Sequence, residues 1–114
     1  MSSMSSAVET PYFRVTDLSA LVSEIAPDSI VSRTFYSDSS VKAIIFGFAA
    51  GQELSEHTSA RPAIMHFLHG EARITLGDDV SHASPGTWVA MQPNLPHSVF
   101  AETPVVMMLT MLQK

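Results

Sequence analysis

The chain has 114 residues, a length that suits one domain, with 46% apolar and 15% charged side chains and a net charge of -5. That balance excludes a wholly disordered chain, and the absence of any Lys/Arg cluster argues against nucleic acid and against an anionic membrane surface as partners. There is no cysteine, so disulfide frameworks, thiolate nucleophiles and zinc-thiolate sites are excluded, which suits a reducing compartment; cytoplasm is the expected location.

Residues 1–16 open with "MSSMSSAVET", which has neither a basic n-region nor an apolar h-region, and they are expected to form a flexible polar tail ahead of one domain spanning 17–114. "DLSALVSEIAP" follows, with Leu18, Leu21, Val22 and Ile25 at helical spacing, Asp17 placed to cap and Pro27 barring continuation. This predicts one short helix whose apolar stripe covers a face or end of what comes next.

After Pro27 the texture changes to short β-branched and aromatic runs between turn residues, which predicts an all-β domain of about eight strands. The strands are expected near 30–36, 41–49, 63–68, 72–76, 80–83, 87–91, 97–101 and 105–112. "AIIFGFAA" and "VVMMLTML" are apolar without alternation, so both of their faces should be covered, as in a barrel or sandwich with a further surface laid on it. Gly51, Gly70, Gly77 and Gly86 fall at the joints between strands, where tight reversals need them.

Two stretches carry the residues of chemical interest. Gly51, five residues, His57, then Ser59, Ala63 and Gly70 follow the spacing G-x5-H-x-H-x3-4-E-x6-G; Gly86, five residues, Gln92, Asn94, His97 and Ala101 follow G-x5-P-x-G-x2-H-x3-N. In both, this region resembles the two signature motifs of the cupin superfamily, and "LSEHT", "LHGEARITLG" and "NLPH" resemble small single-domain bacterial cupins. The resemblance implies an all-β double-stranded β-helix, or jelly-roll barrel, in which His57 and His97 converge from strands distant in sequence.

It also implies a divalent metal such as Fe, Mn, Ni or Zn, but the ligand set is incomplete. Ser59 stands at the second histidine position, Ala63 at the glutamate and Ala101 at the asparagine, while Gln92 and Asn94 replace the proline and glycine of the second motif. Two imidazoles leave a first-row metal short of ligands, so metal binding at His57 and His97 stands beside a second reading, in which they are the polar lining of a small-molecule pocket. Ser59 could then hydrogen-bond a ligand, and Met65, Phe67, Met91 and Val99 would line an adaptable apolar cup.

Strand alternation turns Ile64, His66 and Leu68 outward when Ala63 points in, which makes His66 a poor substitute ligand and favours a ring hydrogen-bonded to backbone in an outer core or interface; a β-bulge would reverse the parity and bring His66 into the barrel. Trp88 faces lumen or partner, and parity does not choose. Three functions compete: a binding domain for a small molecule or loosely held metal; a metal-dependent dioxygenase, isomerase or lyase; and an accessory protein. The outward Ile64 and Leu68 and the apolar last strand predict a homodimer under all three.

Overall fold

The computed structural model describes residues 11–113; residues 1–10, where most of the expected flexible tail falls, lie outside them. The expected helix is a single turn and a half of 3-10 helix, Leu18–Val22, with the Asp17 carboxylate accepting from the Ser19 backbone N–H at 3.2 Å. It ends at Val22, well short of Pro27, so Ile25 lies beyond it. No helix among the described residues is long and apolar enough to cross a membrane.

Nine strands follow among the described residues: β1 Ile30–Ser37, β2 Val41–Phe48, β3 Glu53–His57, β4 Ala63–His69, β5 Ala72–Leu76, β6 Asp79–Ala83, β7 Trp88–Met91, β8 His97–Ala101 and β9 Val105–Leu112. Eight match the runs read from the sequence. The addition is β3, a stretch of "ELSEH" in which only Leu54 is even half-buried. No apolar pattern announces it; it is a strand because its backbone pairs with β8.

The strands form two antiparallel sheets, β1-β2-β9-β4-β7 and β3-β8-β5-β6, closed on one another as a jelly-roll barrel. Ala63, Met65 and Phe67 of β4 meet Ile74, Val99, Ala101, Val105 and Met107 in one core shared by both sheets. Burial alternates along β4 as period two requires, with Ile64, His66 and Leu68 on the outer face.

That outer face carries a second cluster. Val22, Ile45 and Val106 are buried there, with Leu18, Leu21, Val31, Phe35, Leu68 and Met108 packed against them. Gly47 makes this cover possible, since a Cβ at that position would lie 2.8 Å from Ile25 Cδ1 and 3.2 Å from Val22 Cβ. Gly70 is required for another reason: its φ is +86° in the turn between β4 and β5, and a side chain there would run into the Pro104 carbonyl.

Candidate functional site

β3 and β8 are neighbours in the four-stranded sheet, and their register sets His57 directly opposite His97. A bulge between Leu54 and His57 breaks the alternation of β3 just before the histidine, and bulges re-aim side chains in this way. The two ring centres lie 4.1 Å apart with their planes inclined at 57°.

Both rings are held by backbone. His57 Nδ1 is 2.8 Å from the Ser55 carbonyl and His97 Nδ1 is 2.8 Å from the Leu95 carbonyl. A carbonyl only accepts, so each Nδ1 carries the proton and each neutral ring keeps its lone pair on Nε2. No described residue bonds to either Nε2.

His57 is exposed and His97 is 6% exposed. Burial holds the His97 imidazolium below the ordinary imidazole value; the Leu95 carbonyl partly opposes this by favouring the charged ring, and charge on His57 would lower it further. An acceptor buried without a partner costs roughly 1–3 kcal/mol, which the arrival of a hydrogen-bond donor would offset.

Two loops frame the pair. The Ser59 carbonyl, between β3 and β4, accepts from the Asn94 N–H, between β7 and β8, at 2.7 Å, and Asn94 takes the left-handed φ of +67°. Asparagine tolerates that conformation where most side chains do not. The Ser59 hydroxyl accepts from the Arg61 N–H at 3.2 Å, which leaves its own proton to donate. Leu76 of β5 is the register partner of His97 on its other side.

The remaining candidates sit deeper. Met65 is 1% exposed, Phe67 and Val99 0% and Met91 4%, all within the core cluster. The described cavity, of about 250 Å³, is not among them: Phe13, Phe35, Tyr36, Ala43 and Met108 line it on the outer face of the five-stranded sheet. His66 is half-buried on that same outer face, and no described residue hydrogen-bonds its ring, contrary to the backbone bond expected of it. Trp88 points outward and is 59% exposed.

The donor set does not fit a resident metal. No group of three or more His, Cys, Asp or Glu capable of holding an ion occurs among the described residues, and Ala63 and Ala101 bury methyl groups in the core. Three or four protein donors are the usual requirement. Sequence reasoning located both histidines but not the Ser55 and Leu95 carbonyls that orient them, because a backbone acceptor leaves no mark in residue type.

No protein-family model matches the chain, and no curated protein does. Solved structures do. A conserved protein of unknown function from Streptococcus pyogenes superposes with a TM-score of 0.79 at 27% identity, over 94% of this chain and 91% of that one. A cupin superfamily protein from Desulfitobacterium hafniense gives 0.81 at 23% identity, over 91% and 94%. A cupin 2 conserved barrel domain protein from Leptotrichia buccalis gives 0.74 at 26% identity over 82% of this chain, which spans 45% of that longer one. The barrel described above is thus the fold of proteins named as cupins, and this chain has the cupin fold.

Proposed function

We propose that this is a binding domain whose site is the His57–His97 pair, taking a small molecule that offers hydrogen-bond donors to the two Nε2 atoms. One observation carries the reading: a buried imidazole and an exposed one, 4.1 Å apart, both have Nδ1 committed to carbonyls and Nε2 without a partner among the described residues. Ser59 supports it as a further donor on the framing loop. Met65, Phe67, Met91 and Val99 belong to the buried barrel core, and in this reading the ligand meets the histidine pair rather than a deep apolar cup.

A second reading, a metal-dependent enzyme, draws on the same tautomer locking, because histidines that hold metals commonly donate their other nitrogen to a carbonyl. It requires further donors from outside the described set.

The test is a thermal-shift screen of polar small molecules, run separately with Fe, Mn, Ni and Zn salts, on the wild-type chain and on His57→Ala and His97→Gln. We expect at least one organic compound to raise Tm without added metal and to lose its effect in both variants. Stabilisation by a metal alone, abolished in both variants, would transfer the case to the second reading. Shifts that survive both substitutions would remove the histidine pair from the site.

A further inference from the structure

We infer that the His57–His97 pair is one end of a longer site, and that its ligand is an organic amine whose cationic nitrogen reaches Asp79. The inference rests on the binding reading above and adds to it the second end of the ligand.

One row of residues crosses all four strands of the second sheet. His57 pairs with His97, His97 with Leu76 and Leu76 with Asp79. Residues directly opposite one another in an antiparallel sheet share a face. This row faces inward, since His97 is 6% exposed and Leu76 packs against the barrel core. Asp79 therefore stands at the exposed end of the row, on the same side as the imidazoles. Two interstrand spacings separate His97 from Asp79, about 10 Å from backbone to backbone.

The turn before Asp79 is tied to the loop before His97. Gly77, with a left-handed φ of +64°, donates its N–H to the Pro96 carbonyl at 2.8 Å, and a Cβ there would lie 3.7 Å from Leu95 Cδ1. The Leu95 carbonyl also orients the His97 ring. One loop thus braces both ends of the row, and the distance between them is set before any ligand arrives.

The chemistry along the row is one-sided. Both Nε2 atoms accept, the Asp79 carboxylate accepts, and no described residue pairs with any of the three. Arg61, the cation of the loop between β3 and β4, gives a guanidinium N–H to the Gln113 carbonyl. Neutral imidazoles take hydrogen-bond donors of any charge, whereas a carboxylate selects a cation. Leu76 lies between them and is apolar. The complementary molecule is therefore a short methylene chain with a nitrogen donor at one end and an ammonium at the other, and the net charge of -5 attracts it.

Calorimetric titration of the full chain at about pH 8, where imidazoles are neutral and aliphatic amines charged, tests this with hexamethylenediamine, hexylamine, trimethylenediamine and adipate. Hexamethylenediamine should bind roughly threefold to fivefold more tightly than hexylamine, the size of one exposed ion pair. Trimethylenediamine, too short to span the row, should bind no more tightly than hexylamine, and adipate should not bind. Asp79→Asn should remove the advantage of the second amine, and His97→Gln should weaken binding of both six-carbon amines. Circular dichroism checks that each variant is folded.

No binding of hexamethylenediamine to the wild-type chain would overturn the inference, and the histidine pair would then stand or fall by the small-molecule screen. Equal binding of the diamine by wild type and Asp79→Asn would also overturn it. In that case, loss of binding in His97→Gln would leave the histidine pair as a site on its own, and binding unaltered in both variants would remove the pair as well.

Discussion

The two faces of the five-stranded sheet are both apolar, and for different reasons. Inside, Phe48, Met65, Phe67, Val105 and Met107 pack against the second sheet and are at most 1% exposed. Outside, Ile45 and Val106 are buried by a short N-terminal turn, while Ile64, His66, Leu68 and Met108 remain half-buried. An apolar run without alternation can therefore arise from a closed barrel on one side and a partial cover on the other. It reveals that a strand is covered twice but not by what.

Truncation inside the barrel should show the largest effect. Phe67→Ala removes a ring with no exposed surface and should cost roughly 3–5 kcal/mol in denaturant unfolding, because the surrounding strands cannot collapse into the space. A cost under about 1 kcal/mol would mean that the inner core is looser than its burial indicates.

Gly47→Val, on the outer face, pushes Val22 and Ile25 of the N-terminal cover away from β2 and should cost about 1–3 kcal/mol by overpacking. If stability is unchanged, the cover is not held as the structure shows.

The histidine pair lies on the second sheet, and its buried member makes stability depend on pH. Burial holds the folded His97 below its ordinary value of 6.5, so the folded chain takes up fewer protons than the unfolded chain as pH falls through that range. The contribution is complete above 6.5 and is lost progressively as pH falls toward the depressed value. Unfolding measured from pH 8 to 5 should show this decline, and His97→Gln should flatten it. A decline that persists in His97→Gln would mean that this ring is not its source.

Smallest of all, Trp88→Ala should move stability by no more than about 0.5 kcal/mol, since its side chain packs mainly against solvent.

Much of this architecture is legible in the residues. The apolar runs locate eight strands, and alternation from Ala63 correctly separates Met65 and Phe67 from Ile64, His66 and Leu68. The ninth strand escapes because β3 carries two glutamates and a histidine and owes its existence to backbone pairing alone. The helix is readable from spacing, but not its 3-10 form or its early end. The groove is invisible to spacing, because Phe13, Phe35, Tyr36, Ala43 and Met108 come from three separate parts of the chain, one of them within the expected tail. The histidines are visible as residues, whereas their shared tautomer depends on carbonyls that any sequence would provide.

The cross-strand pairing of His57 with His97 has a practical corollary for redesign. The imidazoles hang from one rung of a backbone ladder, so their spacing is inherited from sheet geometry and survives changes in the loops around them. New chemistry can thus be grafted at Ser59, or on the Asn94 turn bonded to it, while the nitrogen pair stays as a fixed reference point.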